Sequence, residues 1–290
     1  MLRIVQLLGN KFYTLYMMPL ALFDKLGVSD FCQYKVRTMC IEYLLFLAKS
    51  RSSWFNNRGL PDNLPVPPPK LLFLVRNSFD KYSFYSEGAL GAKCIKEILK
   101  KNGLDINKFG SILDFGCGCG RILRHWKTLD GPMIYGCDYN PAMARWCQKS
   151  LTFAQVKQNK TFGKLDYDSE SFDFIYAISV FTHLSERLQN FWINELTRIL
   201  KSGGYLLITV HGTTSTFAGR PSWVREKFNS GQLIVLESQR SGTNYCNTYH
   251  PEEFLRTWLS PKLNVVDFVP GGAKDANQDA CLLQKSKKII

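Results

Sequence analysis

The stretch Ser111-Ile-Leu-Asp-Phe-Gly-Cys-Gly-Cys-Gly120 limits what this chain can fold into more than any other. Ser111–Phe115 reads as a short buried strand, Gly116, Gly118 and Gly120 follow at alternate positions, and Arg121-Ile-Leu-Arg-His-Trp126 opens a helical pattern. A strand that runs through a glycine turn into a helix makes a nucleotide cradle. Glycine is needed because a side chain would block a ligand from the backbone and strain the positive φ angles of the turn. In a dinucleotide fingerprint the third glycine comes three residues after the second, which leaves room for a pyrophosphate. Here it comes two residues after, so this loop is not built for a pyrophosphate.

The chain has 290 residues, enough for one large domain or one domain with an appendage. Hydrophobic content of 45% and charged content of 21% exclude a disordered chain. Residues 1–58 read as a helical N-terminal segment. The charge-free run 12–23 and the apolar run 39–48, which contains Glu42, are too short to span a bilayer, and Asp24-Lys25 stands where a signal peptide would be cleaved. Both runs read as amphipathic helices that pack over a cleft as a lid or cap, or rest on a membrane surface. Residues 59–70 hold prolines that fix φ and stiffen an extended linker. The main domain is expected over 71–290.

Helical spacing of Ala89, Cys94, Ile95, Ile98 and Leu99 predicts a helix over 86–101, stopped by Gly103. Further strands are expected over 133–138, 153–156, 172–179, 205–210, 263–269 and 280–284. Helices are expected from Asn140 to about Lys149, over 186–200 with Lys201-Ser-Gly-Gly204 as its stop, and over 251–259. Pro270-Gly271-Gly272 reads as a turn. Residues 211–250, rich in Gly, Ser and Thr, are too long for a tight connection and are expected to recognise a substrate.

The nine cysteines show no CxxC pair and no zinc spacing, so no metal site is expected and the thiols are taken as reduced, in the cytoplasm. The net charge of +13 is dispersed, with no run longer than Lys100-Lys101 or Lys287-Lys288, which reads as a solvated surface rather than a nucleic-acid face.

With Asp114 at the end of its strand, the glycine loop resembles the first motif of the class I S-adenosylmethionine (SAM) methyltransferases. The order of Ser171-Phe-Asp173 and its strand, Thr182-His-Leu184, a helix, Lys201-x-Gly-Gly204 and another strand resembles the same family. So does the terminal strand, turn and strand. The phrases FGCGCGR, AISVFTHLSE and VHG are similar to bacterial type 11/12 small-molecule methyltransferases. The resemblance covers roughly residues 86–286. It implies an α/β, Rossmann-like fold with a seven-stranded, mostly parallel sheet closed by an antiparallel hairpin, plus the helical N-terminal extension. It also implies SAM as cofactor and S-adenosyl-L-homocysteine as product. The implied cofactor residues are Asp114, Gly116, Cys117, Gly118, Gly120, Asp138, Tyr139, Asn159 and Ser179. Asp114 would reach the methionine amino group, Asp138 the ribose hydroxyls and Asn159 the adenine. Asp138 also fits a helix-start signal just ahead of Asn140.

Methyl transfer to a hydroxyl needs a base, and His211, His183 and His250 are the candidates, each near a strand or helix end. Gln278 and Asp279 either face the acceptor or lie in an exposed turn. The Asn/Asp-Pro-Pro-Tyr/Phe motif of amino-methylating enzymes is absent after the fourth strand, where the chain reads Ala177-Ile-Ser-Val180. The expected activity is methylation of an O or N atom of a sugar, lipid or secondary metabolite. The alternatives are a nucleic-acid or protein methyltransferase and a non-catalytic SAM-binding partner protein.

Overall fold

The structure is a computed structural model that describes residues 59–217, 220–260 and 262–287, together with positions 36, 39 and 40. Apart from those three positions, the expected helices of residues 1–58 lie outside the described residues. The chain divides into two compact units, Met1–Lys81 and Tyr82–Ile290. In the first, residues 63–68 take no regular structure, with Asn63 at φ +57°, and lead through an extended Pro68 into helix α1 (Pro69–Arg76). Pro69 opens α1 at a position where its missing N–H costs nothing, and Asn77 closes it in the left-handed conformation.

The second unit is an α/β sandwich whose sheet has seven strands in the order β3-β2-β1-β4-β5-β9-β8. These are β1 (Ser111–Phe115), β2 (Met133–Asp138), β3 (Ala154–Gln158), β4 (Phe172–Ala177), β5 (Leu200–Val210), β8 (Asn264–Ala273) and β9 (Gln278–Gln284). The first five are parallel, and β9 pairs antiparallel with both β5 and β8. The strand order reverses between β1 and β4, so a crevice opens at their carboxyl ends, which is where sheets of this kind bind ligands.

Helix α2 (Lys81–Lys101) precedes β1, α3 (Pro141–Ser150) joins β2 to β3, and α4 (Glu186–Ile199) joins β4 to β5. The Asn140 side chain caps α3 by accepting from the Ala142 N–H at 2.9 Å. Leu188, Trp192, Leu196 and Ile199 of α4 enter the main core beside Leu113, Phe115, Ile175 and Leu206. Burying such side chains contributes roughly 2 kcal/mol each, and the core holds the strands in register.

Three local expectations need correction. No α-helix starts at Arg121: the glycine loop continues as turns into a short 3-10 helix, Leu123–Trp126. Only ten residues separate Gly120 from Gly131, and Gly131-Pro132 stops any longer pattern. Lys201-Ser-Gly-Gly204 is not a helix stop, because β5 begins at Leu200 and this segment bulges out of the sheet between the pairs Phe172–Leu200 and Phe174–Tyr205. The Lys285 ammonium closes the last turn of α4 instead, donating to the carbonyls of Thr197 at 2.8 Å and Leu200 at 2.7 Å. Finally, Pro270-Gly271-Gly272 lies within β8 as a bulge, and the hairpin turns at residues 274–277.

Residues 211–250 form a folded insertion. Helix α5 (Ser222–Asn229) and the hairpin β6 (Ile234–Leu236) and β7 (Asn247–Tyr249) enclose their own small core of Val224, Phe228, Ile234 and Tyr249. Helix α6 (Glu252–Leu259) then leads to β8. Among the described residues, no helix is long and apolar enough to cross a membrane.

Candidate active site

The carboxyl ends of β1, β2, β4 and β5 bring the sequence candidates to one edge of the sheet. All three loop glycines take left-handed φ angles, +78° at Gly116, +56° at Gly118 and +81° at Gly120. A Cβ on Gly116 would lie 2.5 Å from Val180, and one on Gly120 would lie 2.4 Å from Leu151. Gly116 and Cys117 donate their N–H groups to the Cys137 carbonyl, which ties the loop to the end of β2. The Cys117 and Cys119 thiols pack inward, and Cys147 Sγ donates to the Gly118 carbonyl.

Asp138 is buried, and each of its carboxylate oxygens accepts one backbone N–H at 2.8 Å, from Gly118 and from Asn140. It therefore serves the local turn, and each oxygen still has a lone pair for a hydroxyl donor. Burial raises its pKa, and the two N–H groups oppose that shift. Asp114 is also buried. Burial pushes its carboxyl up to about 7, against a hydrogen bond from Tyr176 and attraction from Arg121. Tyr176, the register partner of Asp114 on β4, in turn accepts from Trp126 Nε1 at 2.7 Å. A buried acid held this way is suited to a cationic ligand group.

Asn159 follows β3, its N–H bonded to the Asp138 carbonyl. Its Oδ1 is buried without a partner, an acceptor suited to an exocyclic amine. Tyr139 is 43% exposed and covers the site from outside at most. Ser179 is a non-glycine residue held at φ +59°, costly unless the surroundings enforce it. They do: the Ser179 N–H donates to Thr209 Oγ1 at 2.7 Å, Thr209 donates to Gln278 Oε1 at 2.6 Å, and Gln278 Nε2 donates back to Ser179 Oγ at 2.9 Å.

The three histidines gather where β5 meets the insertion. The His211 backbone bridges Tyr249, and its carbonyl accepts the His250 N–H at 2.8 Å. Its ring lies 6.3 Å from His183 and 5.2 Å from Tyr249. Nδ1 of His211 is buried without a partner. Burial, with the charges of His183 and Arg220, lowers its pKa to about 4, while the Thr248 backbone favours the protonated ring. His183 Nδ1 lies 2.8 Å from the Cys246 carbonyl, which fixes the proton there and leaves Nε2 as the acceptor. His250 is fully buried, with Nε2 2.8 Å from Gln189 Oε1. Gln189 Nε2 donates to the Leu184 carbonyl, so its oxygen must accept from His250. This bond secures the insertion to α4, and burial lowers the His250 pKa to about 3.

Asp279 does not sit in an exposed turn. It is buried and accepts from Thr213 Oγ1 at 2.8 Å, from the Thr214 hydroxyl and from the Gly271 N–H at 2.8 Å. Gln278 likewise acts through the Ser179 network. Sequence reasoning missed Arg121 and Asp275, a buried ion pair at 2.7 Å that fastens the glycine loop to the β8–β9 turn. It also missed Tyr176, although a tyrosine in the apolar run 174–177 signals a buried hydroxyl that needs partners. A depression of about 570 Å³ opens at the opposite edge of the sheet, beside Ser111, Met133 and Phe172 at the strand starts, and takes no part in this arrangement.

Residues 113–208 match the family described as methyltransferase domain. The chain carries a class I SAM-dependent methyltransferase domain of the type 11 family. SAM is the cofactor of this methyltransferase domain. Among curated relatives, the malonyl-[acyl-carrier protein] O-methyltransferase of Paenibacillus sp. (strain JDR-2) is 27% identical over 193 residues, covering 62% of this chain and 66% of that protein. A probable fatty acid methyltransferase of Mycobacterium tuberculosis is 27% identical over 165 residues, covering 51% and 38%. The chain thus spans less than two thirds of the length of these relatives. The fold is shared with the 1,6-didemethyltoxoflavin-N1-methyltransferase of Burkholderia thailandensis, solved with S-adenosylhomocysteine. The two are 17% identical with a TM-score of 0.50, over 78% of this chain and 93% of that one.

Proposed function

We propose that the protein transfers the methyl group of SAM to an O or N atom of a small-molecule acceptor, a sugar, lipid or secondary metabolite. The observation that carries this reading is the buried, unpartnered Nδ1 of His211 at the end of β5, on the same sheet edge as Asp114, the glycine loop and Asp138. Two relatives are named for acyl acceptors, a malonyl carrier protein and a fatty acid, which supports a lipid-like substrate. Buried thiols such as Cys94, Cys119 and Cys137, which form no disulfide, fit work in the cytoplasm.

The residues present fit SAM. Asp138 keeps two lone pairs for ribose hydroxyls, Asn159 Oδ1 lacks the donor that adenine offers, and Asp114 is a buried acid suited to the amino group. When bound, SAM supplies an electrophilic methyl whose leaving group is neutral. The protein then has to orient the acceptor, exclude water and take a proton from a hydroxyl. His211 is neutral at pH 7, so its Nδ1 lone pair is free for that proton, and His183 and Tyr249 hold the ring in place.

Calorimetric titration with SAM and S-adenosylhomocysteine tests the reading. Wild type is expected to bind both at micromolar concentration, and Asp138→Ala to bind at least tenfold more weakly. His211→Ala is expected to keep SAM affinity and lose turnover by about 10²-fold or more. Equal loss of SAM affinity in both variants would remove His211 from the acceptor side.

A further inference from the structure

The insertion carries two arginines without an acidic partner among the described residues. Arg220 donates from Nε to the Tyr249 hydroxyl at 3.1 Å and lies 6.0 Å over that ring. Arg225 lies 5.8 Å over Phe217, whose ring is 5.2 Å from Tyr249. Arg240, on the same insertion, is instead paired with Glu237 at 2.8 Å. An unpaired surface cation is common and by itself says little. Arg220 differs because its Nε is anchored to a buried tyrosine that also stacks against His211, at 5.2 Å between centroids.

That anchoring has a chemical consequence. With Nε engaged, the two terminal nitrogens remain as a planar donor fork, the geometry that matches two oxygens of a carboxylate or phosphate. One aromatic platform therefore carries both an unpartnered lone pair for a reacting proton and an open fork for an anion. We propose that the methyl acceptor bears a carboxylate or phosphate and that Arg220 selects for it, holding the anion on its fork while the reacting hydroxyl or amine meets His211. This rests on the placing of His211 beside the acceptor. The Arg220 charge is one of the influences that lower the basicity of His211, so an anion on the fork would restore part of it. The acid group thus serves as a handle and also prepares the base. A neutral twin of the same acceptor would gain neither effect.

The test uses the full chain loaded with S-adenosylhomocysteine and matched probes that differ only in charge: 3-hydroxydecanoate and its amide, 4-hydroxybenzoate and its amide, glucose 6-phosphate and glucose. Calorimetry is expected to show the charged member of at least one pair binding tenfold or more tightly than its neutral twin. The carboxylate and phosphate arms tell the two anions apart. Arg220→Gln is expected to reduce that preference below about threefold with S-adenosylhomocysteine affinity unchanged, and Arg220→Lys, which keeps the charge without the fork, to restore part of it. No charged probe binding better than its twin overturns the inference, and so does a preference that survives Arg220→Gln. Failure of the wild type to bind S-adenosylhomocysteine would overturn the underlying reading as well, and shows in the loading step before any probe is added.

Discussion

At the residue scale, Asp114 shows a conflict between stability and binding. Its carboxyl is buried without a full ion-pair partner, so above pH 7 the ligand-free protein holds a charge that water would stabilise better. Asp114→Asn is expected to raise unfolding free energy by on the order of 2 kcal/mol at pH 8 and by much less at pH 5, where the folded protein already holds the proton. The same variant is expected to bind SAM at least tenfold more weakly. Urea unfolding at both pH values and calorimetry check the two halves, and a variant less stable than wild type at pH 8 would show that the charge is better compensated than the burial implies. The place of Asp114 was legible in the sequence, because an acid near the end of an apolar strand just before a glycine loop is written in adjacent residues. Its Tyr176 and Trp126 partners were not, because they come from β4 and the 3-10 helix, far away along the chain.

At the element scale, the glycine loop is held from outside itself. No long helix follows Gly120, so the loop depends on its bonds to β2 and on the Arg121–Asp275 pair with the terminal hairpin. Gly88 and Gly91 let α2 close over that pair, since a Cβ on Gly91 would lie 2.7 Å from the Asp275 carboxylate and one on Gly88 2.0 Å from the Arg121 carbonyl. Removing one member deprives the other's buried charge of its 2.7 Å partner. Asp275→Asn is expected to cost about 3 kcal/mol in urea unfolding, while replacing both members, Arg121→Met with Asp275→Leu, is expected to recover most of that loss. A single variant as stable as wild type would mean that water reaches the pair. Sequence periodicity located the strands and helices around this joint, yet it placed a helix at Arg121 and a turn at Pro270. Both errors share one cause: local propensity cannot register contacts from distant parts of the chain, such as the Arg121–Asp275 pair or the Gly271 N–H that the β8 bulge donates to Asp279.

At the scale of the whole molecule, buried histidines set the response to acid. His183, His211 and His250 are held below the ordinary value by burial, so below about pH 6.5 the unfolded chain takes up protons that the folded chain refuses. Their contribution is present above that pH and is lost as the pH falls toward 4. Asp114 and Asp138, both raised by burial, act in reverse over part of the same range, so three groups oppose two, a net slope of up to about 1.4 kcal/mol per pH unit. The thermal midpoint is expected to fall by several degrees between pH 7 and pH 5, and a flat profile would place the rings in water. From the sequence alone came the domain family, the mostly parallel seven-stranded sheet implied by it, the glycine loop and the positions of the two acids, since each is written in adjacent residues whose chemistry is local. The histidine cluster, the Ser179–Thr209–Gln278 network, the Arg121–Asp275 pair and the placing of Arg220 over Tyr249 were decided only by tertiary structure. Their members are distant along the chain, and no local pattern records which buried polar group will find which partner.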